Sequence, residues 1–314
     1  MKIAFLFPGQ GSQSVGMGQA FAQDSPAAAA VWRKADEALG FPLSRLCFES
    51  PESDLALTAN TQPAILTASV AAAAVLAERG ISPDLCAGHS LGEYSALVVT
   101  GALGFVDAVR LVRKRGEFMQ EAVPVGTGAM AALMGLDLAA AEQACAEAAQ
   151  GQVVNVANIN SPGQIVIAGN RGAVERAVKA AAALGGKKSV LLPVSAPFHS
   201  ALMKPAADRL AAELEHVAVH PPRVPVARNV DAALTTTADD VKPFLVRQVA
   251  SPVRWTDCLH TLAREGATAW IEVGPGRVLT GLLRRTIDGA RGLAVEDPES
   301  LDKTVAALTG GGLA

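Results

Sequence analysis

The stretch Gly88-His89-Ser90-Leu91-Gly92, preceded by Pro83-Asp84-Leu85-Cys86-Ala87 and followed by Glu93-Tyr94-Ser95-Ala96-Leu97-Val98, decides the fold. The leading segment is short and mostly apolar, as a buried strand is, and the trailing one reads as a helix. A strand that turns sharply into a helix needs small residues around the turn, because side chains there would collide; Gly88 and Gly92 meet that need. Such a turn lifts a serine hydroxyl clear of the sheet and aims the first helical N–H groups at whatever binds there. In this setting Ser90 reads as a nucleophile; the alternative is a tight capping turn with Ser90 as the N-cap.

Outward from the turn, strands and helices alternate. Lys2 to Phe7 is apolar beyond its lysine, as a parallel strand covered on both faces would be. It ends in Pro8-Gly9-Gln10-Gly11-Ser12-Gln13, a polar, Gly-rich loop of the kind that binds ligands at the carboxyl ends of open α/β sheets. Helices are expected after Ser25-Pro26, after Thr61-Gln62-Pro63 as far as Arg79, from Phe105 to Glu121 and from His199 onward. Strands are expected over Val224 to Ala227 and Ala269 to Val273, with Gly274-Pro275-Gly276 opening a helix. Residues 126–195 read differently: strand Ala129 to Met134, helix Leu138 to Ala149, strands Val153 to Ile159 and Gln164 to Ala168 around the turn cluster Asn160-Ser161-Pro162-Gly163, helix Ala173 to Leu184, strand Lys188 to Val194. The order β-α-β-β-α-β is a ferredoxin-like pattern. The expected fold is α/β: a large α/β-hydrolase-like parallel-sheet domain, residues 1–125 and 196–314, with a small ferredoxin-like domain, residues 126–195, inserted in it. Gly310-Gly311-Gly312 reads as a frayed end.

Composition narrows the class. The chain has 314 residues, half of them apolar, 18% charged and 4% aromatic, the profile of an Ala/Val/Leu-packed soluble α/β protein. A formal charge of -3 offers no global attraction to nucleic acid or an anionic membrane. Cys47, Cys86, Cys145 and Cys258 lie far apart, which disfavours zinc or disulfide frameworks and suits a reducing cytoplasm. No segment reads as long and apolar enough to span a bilayer: the Ala-rich run from Ala68 to Leu76 stops at Glu78-Arg79.

A serine hydroxyl needs a base to take its proton. His89 adjoins Ser90, but neighbours on a sharp turn point in different directions, which suits a packing or orienting role. His216 and His220 look like surface or helix-end residues, and His260 lies on a helix among polar neighbours. His199 closes Val194-Ser195-Ala196-Pro197-Phe198 just after an expected strand, so it should stand at a strand's carboxyl end as Ser90 does; the alternative is a helix N-cap position beside Ser200. In the hydrolase order a third triad member would fall between serine and histidine, where the aspartates are Asp107 and Asp137, each at the start of a helix rather than in a loop after a sheet strand. A backbone or amide oxygen is left to orient the imidazole. Arg113-Lys114-Arg115, taken alone, reads as a solvated helix face, and Lys187-Lys188 and Arg284-Arg285 as solvated pairs. Asn160 reads as a turn asparagine.

With these motifs assembled, the chain resembles the malonyl-CoA:acyl-carrier-protein transacylases of fatty-acid synthesis and the related polyketide synthase acyltransferases. The resemblance runs nearly end to end: Phe7-Pro8-Gly9-Gln10-Gly11-Ser12-Gln13, Gly88 to Tyr94, Arg115-Gly116 with Met119-Gln120, Asn158-Ile159-Asn160-Ser161-Pro162, Ala196-Pro197-Phe198-His199-Ser200, Gln248 with Ser251-Pro252-Val253-Arg254-Trp255, and Glu272 to Gly276. It implies that Ser90 attacks the thioester of malonyl-CoA with His199 as base. It also implies that backbone N–H groups of Gln10 and Leu91 form the oxyanion hole and that an oxygen of Gln248 orients His199. Arg115 would bind the malonyl carboxylate, with Met119 and Phe198 as further substrate contacts; a bulky Phe198 should crowd an α-methyl branch. The acceptor would be the phosphopantetheine thiol of an acyl carrier protein, in a ping-pong cycle without metal or cofactor, CoA and the prosthetic thiol being substrates. A free-standing polyketide acyltransferase and an acyl-thioester serine hydrolase are the other readings.

Overall fold

The computed structural model describes residues 1–194 and 196–310; Ser195, in the segment before His199, and Gly311-Gly312 of the glycine tail lie outside them. The strands are β1 (Ile3–Phe7), β2 (Leu85–Gly88), β3 (Gly128–Met134), β4 (Val154–Ser161), β5 (Gln164–Asn170), β6 (Lys188–Leu191), β7 (Val226–Ala227), β8 (Leu234–Thr235), β9 (Ala269–Val273) and β10 (Gly292–Val295). They form two sheets.

The larger sheet has the order β10-β9-β1-β2-β7-β8. Every pairing from β10 to β7 is parallel, and β8 alone runs antiparallel at the edge. β1, β2 and β9 are covered on both faces, which is why their sequences are apolar without alternation. Glu272 in β9 is the exception with a purpose. Its carboxylate accepts the N–H groups of Leu279 (2.9 Å) and Thr280 (2.7 Å) at the start of the helix Val278–Thr286, capping that helix from inside the sheet. Burial raises its pKa to about 7.

The smaller sheet has the order β4-β5-β3-β6 with every pairing antiparallel. Leu133, Ile165 and Ile167 on one face pack against Ala141 and Ala144 of the helix Leu138–Ala149 and Val174 and Ala177 of the helix Arg171–Ala183. Met130, Ala157, Val166 and Ala168 join the apolar core of the larger unit instead. Main-chain bonds between Ile159 and Val253 and between Val253 and Ala157, both 2.9 Å, tie β4 to the larger unit.

Several elements depart from the sequence reading. The helix expected after Pro63 begins at Thr58 and runs to Glu78 with Pro63 inside it. Proline removes the N–H that would bond the Ala59 carbonyl; that carbonyl instead accepts Arg113 Nη1 at 3.2 Å, which satisfies the gap. The same 21-residue helix is long and apolar enough to cross a membrane by length and composition, contrary to expectation, but 78% of its apolar window is buried, as in a core helix. His199 opens no helix. It sits in a left-handed turn (φ 60°) ahead of a 3-10 turn, Ala201–Met203, and the helix Lys204–Glu215. Because β6 ends at Leu191, His199 follows a loop off the small sheet's edge strand and not the carboxyl end of a main-sheet strand. Asn160 lies within β4, which runs on to Ser161 and leaves Pro162-Gly163 as the turn.

Candidate active site

Ser90 is the N-cap of the helix Leu91–Val99, with φ 50° and ψ -102°. A non-glycine residue holds such a conformation only where its surroundings dictate it. A Cβ on Gly88 would lie 1.9 Å from the Gly92 carbonyl, and one on Gly92 would lie 2.0 Å from the Phe7 carbonyl oxygen, so backbone contact alone demands both glycines. His89 N–H donates to the Phe7 carbonyl at 3.0 Å. Just past β7, Asn229 closes the frame: its Nδ2 donates to the Gly88 carbonyl and its Oδ1 accepts the Ser90 N–H, each at 2.7 Å.

Ser90 Oγ lies 2.7 Å from His199 Nε2 and 3.1 Å from Arg115 Nη2. His199 Nδ1 is 2.9 Å from the main-chain carbonyl of Gln248. A carbonyl only accepts, so Nδ1 carries the hydrogen and Nε2 turns its lone pair to the serine hydroxyl. Burial, followed by the charge of Arg115, lowers the His199 pKa to about 3, so the imidazole is neutral at pH 7 with its Nε2 lone pair unprotonated. The turn bearing His199 is held from β4: Asn155 Nδ2 donates to the His199 carbonyl and Asn155 Oδ1 accepts the Ala201 N–H, both at 3.3 Å.

Arg115 is 1% exposed. It donates to Gln62 Oε1 (2.7 Å), Gln248 Oε1 (3.0 Å) and Ser90 Oγ, all neutral oxygens, and its guanidinium carbon lies 5.3 Å from the ring centroid of Tyr94. Its Nε has no partner, and among the described residues no carboxylate is ion-paired with it. Glu93 acts on it only through space; a buried cation with no carboxylate in direct contact is costly, and it is a ready receptor for one. Lys114 does behave as a solvated residue, paired with Glu213; Arg113 is half-buried, pairing with Glu117 and reaching the Ala59 carbonyl, and Arg115 is buried outright, so the reading fails for both arginines.

The remaining residues named from sequence fall around this centre. Leu91 is the first residue of the helix after Ser90, and Gln10 lies in the loop after β1 with its side chain on Thr58 Oγ1 at 3.2 Å. Neither backbone N–H donates to another described residue. Gln248 offers His199 its main-chain oxygen; its side chain turns to Arg115, Glu93 and the Ser90 carbonyl instead. Met119 is buried one helical turn beyond Arg115, its sulfur 3.9 Å from Gln62 Nε2, and Phe198 is the buried residue before His199. His89 stands apart from the serine hydroxyl, bonded through Nε2 to Asn160 Oδ1 at 2.8 Å and tilted against Trp255. The four thiols are free and buried.

Sequence reasoning missed Asn229, Gln62 and Asn155. Only Asn229 carried a signal, as a polar residue just beyond an apolar strand that neighbours β2. Replacing it with alanine strands two buried backbone groups, the Ser90 N–H and the Gly88 carbonyl. Asn229→Ala should therefore cost about 2–4 kcal/mol in urea unfolding. A change within about 0.5 kcal/mol, as at an ordinary surface position, would show that the turn holds without it.

Residues 4–304 match the family model described as acyl transferase domain. The chain is 52% identical over 301 residues to the malonyl CoA-acyl carrier protein transacylase of Escherichia coli (strain K12), spanning 96% of this chain and 97% of that protein. It is 49% identical over 308 residues to that of Bacillus subtilis (strain 168), spanning 98% and 97%. An acyl carrier protein S-malonyltransferase structure from Vibrio cholerae superimposes with a TM-score of 0.95 at 49% identity, covering 96% of this chain and 99% of that one. A malonyl-transacylase solved in complex with a type II PKS acyl-carrier protein gives 0.95 at 48% identity, covering 97% and 99%. With a family model matched over residues 4–304 and relatives about half identical over nearly the whole length, the chain belongs to the acyl transferase domain family, among the malonyl CoA-acyl carrier protein transacylases.

Proposed function

We propose that this chain moves the malonyl group of malonyl-CoA to the phosphopantetheine thiol of an acyl carrier protein through an ester on Ser90. The observation that carries the reading is Arg115, a buried guanidinium without a carboxylate partner, one hydrogen bond from a serine that is itself one hydrogen bond from a neutral histidine. The relatives' names supply the same donor and acceptor.

The malonyl carboxylate enters against Arg115, taking the unpaired Nε–H and displacing Ser90 Oγ from Nη2 in a paired charged contact, while Gln62 and Gln248 keep the guanidinium in place. That exchange also releases Ser90 Oγ from an Nη2 donor that would blunt its nucleophilicity. The hydroxyl attacks the thioester carbon while His199 Nε2 takes its proton, and the Gln248 carbonyl steadies the imidazolium through Nδ1–H. The oxyanion falls to the free N–H groups of Gln10 and Leu91. Collapse breaks the C–S bond, and His199 returns the proton to the CoA thiol. The carrier thiol then repeats the sequence in reverse, giving its proton to His199 as it attacks the ester, and Ser90 leaves with that proton. Serine, histidine and two N–H donors suffice for these steps, so no cofactor is assigned. Met119 and Phe198 would wall the acyl group.

In the same reading the larger unit, 1–125 and 196–314, is hydrolase-like, and the smaller, 126–195, is a ferredoxin-like insertion. The strand order β4-β5-β3-β6 supports the second. Four buried thiols suit a cytoplasmic setting.

Incubation with malonyl-CoA and a phosphopantetheinylated carrier protein should yield malonyl-carrier and little free malonate. Free malonate as the main product would favour the hydrolase. A relative solved with a type II PKS carrier makes both fatty-acid and polyketide carriers the acceptors to compare.

Arg115→Ala should lower malonyl transfer by about 3–5 kcal/mol, the cost of a buried charge left without its partner, while acetyl transfer escapes that penalty. Arg115→Lys should recover part of the loss, since an ammonium cannot make the paired planar contact. The ratio of malonyl to acetyl transfer is the measurement. A ratio unchanged while both rates fall would move carboxylate recognition elsewhere.

A further inference from the structure

Glu93 is a buried carboxylate that the chemistry above leaves unused, in the first turn of the helix that Ser90 caps. A single oxygen, Oε2, accepts two hydrogen bonds: from the Asn229 backbone N–H at 3.0 Å and from Gln248 Nε2 at 2.8 Å. Both donors belong to residues that hold the reacting pair. Asn229 Oδ1 takes the Ser90 N–H, the Gln248 carbonyl takes His199 Nδ1–H, and Gln248 Oε1 takes Arg115 Nη2. Gln248 Nε2 also reaches the Ser90 carbonyl at 3.0 Å. Among the described residues no cation is ion-paired with Glu93, and burial pushes its carboxyl up to about 7. Such a group is a poor stabiliser of the fold compared with an apolar residue, which argues for another reason to keep it there.

Its acceptor-only oxygen supplies that reason. A carboxamide can sit either way round. Were that of Gln248 reversed, its NH2 would face the donating Nη2 of Arg115 and its oxygen would face Glu93, setting donor against donor and acceptor against acceptor. Glu93 is the nearest of three acceptors on Gln248 Nε2, ahead of the Ser90 carbonyl at 3.0 Å and Asn229 Oδ1 at 3.3 Å, and all three favour the orientation in which Oε1 meets Arg115.

We propose that Glu93 is a positioning residue for malonyl transfer: Oε2 fixes the Gln248 carboxamide and the Asn229 main chain, and through them the guanidinium of Arg115 and the approach of Ser90 to His199. The proposal rests on the assignment of Ser90 and His199 given above.

Because both bonds end on one oxygen, a glutamine can accept them and an aspartate, one methylene shorter, cannot reach. The test measures pre-steady-state acylation by malonyl-CoA and by acetyl-CoA for full-length Glu93→Gln, Glu93→Asp and Glu93→Ala, each normalised to folded protein by thermal melting. Glu93→Gln should stay within about threefold of wild type. Glu93→Asp and Glu93→Ala should lose about 10- to 100-fold in malonyl rate, the scale of a misplaced reacting geometry, and their malonyl-to-acetyl ratio should fall as Arg115 loses its fixed acceptor. A merely structural role would scale both rates with the folded fraction and leave the ratio alone, and that outcome overturns the proposal. So does a wild-type rate in Glu93→Asp, or a Glu93→Gln as poor as Glu93→Asp, which would make charge and not acceptor placement the requirement. Should Glu93→Ala fail to fold, the glutamine–aspartate comparison decides alone. Ser90→Ala serves as control: malonyl transfer surviving there would sink the nucleophile assignment itself, whereas an inert Ser90→Ala beside a fully active Glu93→Asp would sink only the role of Glu93.

Discussion

The parallel pairing of β1 with β2 brings Phe7 opposite Gly88, and the site depends on how little room that leaves. Gly92 must pass so close to the Phe7 carbonyl that a Cβ would lie 2.0 Å from it, and the chain can only turn there with Ser90 forced into positive φ. That one crowded crossing sets the serine hydroxyl at the sheet's carboxyl edge. It also places the loop after β1, which carries Gln10, and the first residue of the helix, Leu91, at the carboxyl ends of β1 and β2. Every other contact in the centre reads as a response to it: Asn229 takes up the stranded Ser90 N–H and Gly88 carbonyl, Glu93 holds Asn229 and Gln248, and Gln248 meets His199.

The electrostatics follow from burial. Desolvation keeps His199 neutral and raises Glu93, while Arg115 cannot give up its proton and so remains the fixed charge of the pocket. Its partners, Gln62, Gln248 and Ser90, are neutral oxygens, so a carboxylate can join the guanidinium without breaking an ion pair. A general hydrolase of uncharged esters would gain nothing from such a cation, whereas an enzyme for a dicarboxylic thioester would.

Legibility in the sequence followed the range of the physics involved. Gly88 and Gly92 announce a close approach within five residues, so Ser90 was readable. The helix Phe105–Glu121 and the strand Ala269–Val273 were readable to the residue, from periodicity and from flanking glycines. Pro63 misled because the local rule, that proline ends or starts a helix, gives way once Arg113 takes the freed Ala59 carbonyl from another helix. His199 does lie against Ser90, but not by the route expected from sequence: what holds its turn is Asn155 across the small sheet, a contact 44 residues long, and not the end of a parallel strand. That a Gln248 oxygen orients His199 came from resemblance, but only the folded chain distinguishes the main-chain carbonyl from the carboxamide. Gln62 and the clamp made by Glu93 were illegible because each gains meaning from a partner 53 or more residues away, and Asn229 showed only as a polar residue past β7, its partner Ser90 lying 139 residues off.

In the proposed cycle Ser90 must carry the acyl group between donor and acceptor. Peptide-mapping mass spectrometry after brief exposure to malonyl-CoA tests this most directly. The wild-type chain should gain one malonyl group on the peptide containing Ser90, lose it when a phosphopantetheinylated carrier protein is added, and gain none as Ser90→Ala. A malonyl group found on another residue, or one that Ser90→Ala still acquires and passes on, would contradict it.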